Sequence, residues 1–493
     1  NGTGQINQAL TNFSGAVGSV TYRVTPTSLA GCAGPAQDVV VTVNPAPVVA
    51  SGQTRTICSN QPVNKEIFLS PLNLPPGTVF NWAAPVMSDG STQGSAGTNV
   101  AAGAPGTLHI TDVLVNTSNA PITATYTITP TSGAGCAGVA ETIVITVNPE
   151  PTSINSTAAV FCSDVAFSIN PQANITNTLV SSFTWTAFYP AGLTGGAGNG
   201  VGSINESLTN ITTAQLSAVY TVTPTSASGC AGATFTVTVP VNPKPVGANT
   251  TVAVQCSDVG FSFDPQTFIT NGVTATFTWT ASYPAGLTGG AANGVGNVVG
   301  TLVNQTNIQL NAVFTVTPTS TPDGCVGTPF TVTVPVNPEP VGANSTKAVV
   351  CSDAPFSFDP QAEITNGVPA SFSWTAAYTG GITGGATNGT GPVAETLTNL
   401  TGGVLNVVYT IVPRSASNCD GNPFTITVPI DTEPVGADVT KADQCSNVPF
   451  SFNPQDDITN GVNSTFTWTA SYGAGLSGGA GNGNGLIAET LVN

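Results

Sequence analysis

The chain repeats itself, and the period of that repeat limits its possible folds more than any other feature. Trp82, Trp185, Trp279, Trp374 and Trp468 are spaced by 103, 94, 95 and 94 residues. Cys58, Cys162, Cys256, Cys351 and Cys445 keep step with them to within a residue, as do Tyr22, Tyr126, Tyr220, Phe314 and Tyr409. A unit of about 94 residues therefore recurs, and the copy around Trp82 carries roughly ten more. Repeats of this kind stack neighbour on neighbour, so one unit stands for the whole. The phase of the motifs predicts a C-terminal part of a module at 1–45, a module with an insertion at 46–149, and modules at 150–243, 244–338 and 339–432. The N-terminal part of a further module follows at 433–493. Because both ends fall inside a module at nearly one phase, the chain reads as a window from a longer repetitive polypeptide.

Within a unit the pattern is that of strands. Phe314-Thr315-Val316-Thr317-Pro318 and Phe330-Thr331-Val332-Thr333-Val334 alternate apolar and hydroxyl residues on either side of a turn holding Cys325. Period-two alternation marks a hairpin with one buried face. The same hairpin recurs around Cys32, Cys136, Cys230 and Cys419. Upstream, the spacing predicts an edge strand near 251–254, a Cys256-Ser257-Asp258 turn, a strand over 261–263 and another over 275–282 centred on Trp279. A Gly-rich excursion over 286–294 reads as a wide loop or edge segment needing positive φ. Seven or so short strands with turns every eight to twelve residues indicate a β-sandwich. The fold class is thus all-β, a tandem array of immunoglobulin-like β-sandwich modules of about 94 residues forming an elongated rod. Each Trp sits mid-strand where an immunoglobulin-like domain buries one, so Trp82, Trp185, Trp279, Trp374 and Trp468 are assigned to the cores.

Asn44-Pro45-Ala46-Pro47, Asn148-Pro149-Glu150-Pro151, Asn242-Pro243-Lys244-Pro245 and Asn337-Pro338-Glu339-Pro340 mark the joints, with Asp431-Thr432-Glu433-Pro434 an altered fifth. Proline on both sides of one residue holds it extended. Joints this short act as stiff spacers.

Composition narrows the function. Only 6% of the residues are charged, against ~25% in ordinary soluble domains. A net charge of −17 disfavours nucleic acid and anionic lipid as partners. No apolar run reaches the ~18 residues of a membrane span. The one histidine, His109, is unrepeated and reads as an ordinary strand or surface residue. Without a second histidine or a reactive thiol, no Ser-His or Cys-His nucleophile can be assembled, so the chain is read as no enzyme. No cofactor is implied. Acids recur at Asp258, Asp264, Asp353 and Asp359 but give way to Asn170, Asn447 and Asn453 in other copies. They read as turn caps, with Ca2+ the alternative ligand. Asn-x-Ser/Thr triplets at Asn116, Asn174, Asn249, Asn344 and Asn463 read as by-products of Thr- and Asn-rich strands.

All ten cysteines, Cys32, Cys58, Cys136, Cys162, Cys230, Cys256, Cys325, Cys351, Cys419 and Cys445, lie in register and are disulfide candidates. No CxxC spacing points to zinc. Two connectivities stay open: within a module (Cys256 to Cys325), or across a joint (Cys162 to Cys325, Cys256 to Cys419). A disulfide needs its Cα atoms within about 7 Å. The pairs 26 residues apart rank behind both.

The motifs Thr221-Val222-Thr223-Pro224, Gly229-Cys230, Phe235-Thr236-Val237-Thr238-Val239, Asn242-Pro243 and Cys256-Ser257 resemble the PKD-like repeats of giant extracellular surface proteins of gliding bacteria. That resemblance implies an extracellular, cell-surface setting, adhesion or gliding motility, export by type IX secretion, and no catalytic residues. The expected function is a stiff, disulfide-stapled stalk of an adhesin or filament, self-associating into filaments or bundles. The alternative is a multivalent array gripping surface glycans, for which Tyr189, Tyr283 and Tyr472 are the repeated platform candidates.

Overall fold

The computed structural model describes residues 2–12, 14–67, 75–100 and 109–493. They form strands, turns and four one-turn 3-10 segments, with no α-helix among them. The chain divides into two compact units, 1–244 and 245–493. In the first, complete sandwiches are built around Tyr126 and Tyr220; in the second, around Phe314 and Tyr409.

The repeat after Pro245 serves for all. Its main sheet runs in the order Thr250–Thr251 with Gln255–Cys256, then Phe330–Asn337, Leu310–Ser320, Ala275–Ser282 and Asn293–Val295. The opposite layer pairs Gly260–Phe263 with Val298–Thr301, beside Leu287–Thr288 paired with Val303–Asn304. Pairing is antiparallel except at the outer edge, where the first short strands run parallel to the last strand. Alternation decides the faces: Phe277, Trp279, Ala312, Phe314, Val316 and Val332 are buried, and the intervening threonines face outward. At ~25 cal/mol per Å2 of buried apolar surface, this layer is the main source of each module's stability.

Trp185, Trp279 and Trp374 are buried in their cores, and Trp82 is partly buried against its own. Trp468, in the last half-repeat, is only half-buried. Trp279 meets Phe314 edge to face with ring centroids 5.6 Å apart, as Trp185 meets Tyr220 at 5.5 Å.

The Gly-rich stretch takes both forms expected of it: Gly286 and Gly289 have φ of +90° and +93°, and its end is the edge strand of the main sheet. Asn293–Val295 is a strand that puts Gly294 opposite Trp279. A Cβ on Gly294 would lie 2.3 Å from the indole, and one on Gly290 would lie 2.2 Å from the Tyr283 hydroxyl. Neither needs positive φ; both are glycine because an aromatic ring lies directly on the backbone.

The repeated acid before proline is a cap. The Asp264 carboxylate accepts the Gln266 N–H at 2.9 Å and opens the turn Pro265–Phe268, as Asp359, Asn170 and Asn453 do in their copies. Proline at the first position of such a turn lacks only a donor that would have gone unused.

Of the Asn-x-Ser/Thr triplets, Asn116 is a structural residue and not a by-product. It shares its place with Asn210, Asn304 and Asn399, all buried. The Asn304 amide donates to the carbonyls of Ile308 and Val336, and its oxygen accepts the Thr306 N–H and Oγ. Four bonds satisfy a side chain that would otherwise be costly to bury. His109 lies in the short strand His109–Ile110, whose backbone pairs with Lys65–Glu66.

Candidate functional site at the repeat joints

The joint is where consecutive repeats are fastened. After the last strand ends at Asn337, Pro338-Glu339-Pro340 carries the chain into the next sandwich. The cysteine hairpin of that sandwich lies against the joint: a Cβ on Gly421 would stand 2.0 Å from the Pro340 carbonyl oxygen. Gly138, Gly232 and Gly327 crowd Pro47, Pro151 and Pro245 in the same way, at 1.9 to 2.1 Å. Only glycine allows backbone to approach backbone so closely.

The residue between the two prolines faces both ways. Asn366 of the following repeat donates to the Glu339 carbonyl at 2.8 Å, while the Glu339 side chain bonds Asp258 of the preceding one. Related contacts occur at the joints holding Glu150, Lys244 and Glu433. The Glu150 carbonyl is held by Asn177 and its carboxylate by Asn60; Lys244 forms an ion pair with Asp164 at 2.8 Å; Glu433 is held by Asn460 and bonds Asp353. The turn residues Asn60, Asp164, Asp258 and Asp353 all have φ near +60°. That left-handed conformation suits Asn and Asp better than other side chains.

The joints therefore differ in charge. At one, burial would raise the Asp164 carboxyl, but hydrogen bonds from Lys244 and Thr209 outweigh it and hold the pKa below the usual range. At another, burial and then the bond to Asp258 push Glu339, only 8% exposed, up to about 7. Glu433, bonded to Asp353, is also raised.

Disulfides cross the joints. Cys58 is bonded to Cys230, and Cys256 to Cys419, each with Cα atoms 5.5 Å apart. In each, a cysteine from the early turn of one repeat meets the hairpin cysteine of the next. The early turn reaches the joint because Gln255–Cys256 runs parallel to Val336–Asn337. Of the two connectivities left open by the sequence, these bonds follow the cross-joint one. Cys162 and Cys325 are also disulfide-bonded. Four of the ten candidates are not: Cys32, Cys136, Cys351 and Cys445 are free thiols. None has the complementary cysteine of an adjoining repeat beside it.

The tyrosine row takes a different role from the one foreseen. Tyr189 is half-buried; its hydroxyl donates to the Ala197 carbonyl and to Glu206, and its ring meets Tyr220 edge to face. Burial, with Glu206 beside it, raises its pKa to about 12. The buried Tyr220 hydroxyl donates to the same carboxylate. Tyr378 and Tyr409 share Glu395 likewise, so Tyr378 belongs to the row that the sequence reading limited to Tyr189, Tyr283 and Tyr472. These rings brace the core and form no flat exposed platform. Among the described residues no three His, Cys, Asp or Glu side chains cluster, and no helix is long and apolar enough to cross a membrane.

The PKD-like domain profile matches residues 1–47, 55–151, 159–245, 253–340 and 348–434. No curated protein matches the chain. Similar solved structures include an I-band fragment of titin, at 9% identity over 59% of this chain and 98% of that one, with a TM-score of 0.28. Extracellular domains 3–5 of Drosophila OTK match at 13% identity over 59% and 97%, with a TM-score of 0.18.

Proposed function

The chain belongs to the PKD-like domain family, and from that premise we propose that it is a structural repeat segment of a giant extracellular cell-surface adhesin or filament. It acts as a stiff stalk in attachment or motility, and its work is mechanical. The observation that carries this reading is the Cys256–Cys419 bond, which rivets one sandwich to the next across a joint already braced by two prolines and Glu339. Such bonds persist in oxidising compartments outside the cytosol. We take the setting to be the surface of a gliding bacterium, reached by type IX secretion, on the resemblance of the hairpin and joint motifs alone.

Electron microscopy of the chain, unreduced and then reduced, tests the proposal. Stiff uniform particles that become bent on reduction are expected. Flexible beads of unchanged outline in both states would overturn it.

A further inference from the structure

One Asn-x-Thr triplet recurs on the surface of the complete repeats. Asn155-Ser156-Thr157, Asn249-Thr250-Thr251 and Asn344-Ser345-Thr346 are spaced by 94 and 95 residues, so they hold one position in three successive sandwiches. Each lies at the outermost strand of its main sheet: Ser156–Thr157, Thr250–Thr251 and Ser345–Thr346 pair with the closing strand on one side only. All three asparagines are exposed. Asn249 and Asn344 are among the triplets that composition alone would explain, but a shared place in the fold asks for a reason.

The side-chain oxygen is tied down. It accepts the backbone N–H of Thr236, Thr331 and Thr425 of the closing strand, at 2.7 to 2.8 Å. The nitrogen is not: none of the three Nδ2 amides donates a hydrogen bond to a described residue. Thr157, Thr251 and Thr346 are likewise exposed, and their hydroxyls bond no described residue. An exposed amide nitrogen with a free hydroxyl two residues on is what an acceptor of N-linked sugar presents. The buried triplets use the same residue types in the opposite way. Asn116, Asn210, Asn304 and Asn399 each give both amide hydrogens to backbone carbonyls. Asn174, only 6% exposed, donates to the Ile154 carbonyl.

The position also needs cover. A sheet edge with unpaired N–H and C=O groups invites pairing with another chain, and proteins blunt such edges with charge or proline. Segments 154–161, 248–255 and 343–350 hold no proline and a single charged residue, Lys347, which is already paired with Glu363. A bulky, hydrated sugar at the start of the edge strand blocks the approach sterically instead.

We propose that Asn155, Asn249 and Asn344 are acceptors of N-linked glycan, each receiving an oligosaccharide from a polyprenyl-diphosphate carrier outside the cytosol. The Nδ2 atom attacks C1 of the first sugar. The C–N bond forms as the bond from C1 to the diphosphate oxygen breaks, the diphosphate leaves on its lipid, and the amide gives up one proton to a base of the transferase. The inference goes beyond the stalk reading and rests on it only for the extracellular setting in which the carrier is met.

The test is mass spectrometry of peptides from the protein isolated from its own cells, with fragmentation that leaves sugars on their side chains. Expected is the same oligosaccharide on Asn155, Asn249 and Asn344, with Asn116, Asn210, Asn304 and Asn399 bare. Asp438-Val439-Thr440, where aspartate stands in the acceptor position, should be unmodified. Thr251→Val keeps the hydrogen bond from Thr331 to Asn249 and should abolish the sugar at Asn249 alone, whereas Thr251→Ser should retain it. An asparagine with a purely structural role gives no such pattern. Made in cells that lack the lipid-linked donor, the chain should keep its urea midpoint but associate through its bare edges, as read by light scattering. Three bare asparagines, sugar on the threonine oxygens instead, or single hexoses in place of an oligosaccharide would each overturn the proposal. A sugar-free chain that stays monomeric would overturn the capping role. None of these outcomes bears on whether the joints are stiff, so failure here is separable from failure of the stalk reading.

Discussion

The buried glutamate at one joint makes a quantitative prediction about pH. Glu339 titrates near 7 in the folded chain, against an ordinary value of 4.5. A folded-state pKa above the unfolded one means stability is fully present below pH 4.5 and declines as pH rises towards 7. Above that the loss is constant. The shift is about 2.5 units, and at ~1.36 kcal/mol per unit it corresponds to on the order of 3 kcal/mol. Glu339→Gln keeps a donor for Asp258 and removes the titration, so the variant should lack this component. With a urea slope of about 2–3 kcal/mol/M, the denaturation midpoint of the wild-type chain should fall by roughly 1 M more than that of Glu339→Gln between pH 4.5 and 8. Glu339→Lys should reverse the sign, because it recreates the Lys244–Asp164 pair. In that pair hydrogen bonds from Lys244 and Thr209 hold the Asp164 carboxylate below its ordinary range, an arrangement whose stability is lost as pH falls. Identical pH profiles for the wild type and Glu339→Gln would refute the assignment of the proton to this joint.

Three further substitutions probe the repeat itself. Asn304→Ala should cost about 2–4 kcal/mol in chemical denaturation, because it strands two carbonyls and a part-buried N–H that now have partners. Gly294→Ala should cost about 1–3 kcal/mol and change the Trp fluorescence, since its methyl would meet the Trp279 ring at 2.3 Å. Cys256→Ser should leave the unfolding of single repeats nearly unchanged but raise the rate of proteolytic cutting near Pro338-Glu339-Pro340. The disulfide closes a 163-residue loop, whose entropic worth of up to about 5 kcal/mol is felt only when both linked repeats open together.

Where the physics is local, the sequence shows it. Ala275–Ser282 is predicted and found over the same residues because its alternation around Trp279 is strict. Thr317 and Thr319 face outward for the same reason. Val298–Thr301 escapes notice because four residues containing a glycine carry too little period. The stretch around Gly294 reads only as a loop or edge segment because composition cannot show that an indole from another strand lies on it. The latch between Asp258 and Glu339 spans 81 residues of sequence, so no window of neighbouring residues contains it. Aligning the repeats would have shown it, since the turn and joint positions read Asn60 with Glu150, Asp164 with Lys244, and Asp258 with Glu339. The cross-joint disulfides were one of two open alternatives because spacing alone does not say that Gln255–Cys256 doubles back beside Asn337. The free Cys351 and Cys445 differ from Cys256 only in what adjoins them.

The two joint disulfides also limit how far the polypeptide can be drawn out. They close loops of 172 and 163 residues, which do not overlap along the chain. At about 3.4 Å per extended residue, those loops hold roughly 580 and 550 Å of contour that tension on the chain ends cannot release while the sulfurs stay joined. Even if every sandwich between Cys256 and Cys419 unravelled, the load would pass from sulfur to sulfur and the slack would hang to one side. Overload would then consume structure without lengthening the tether by that amount, and a thiol reductant, more than force, would set its reach.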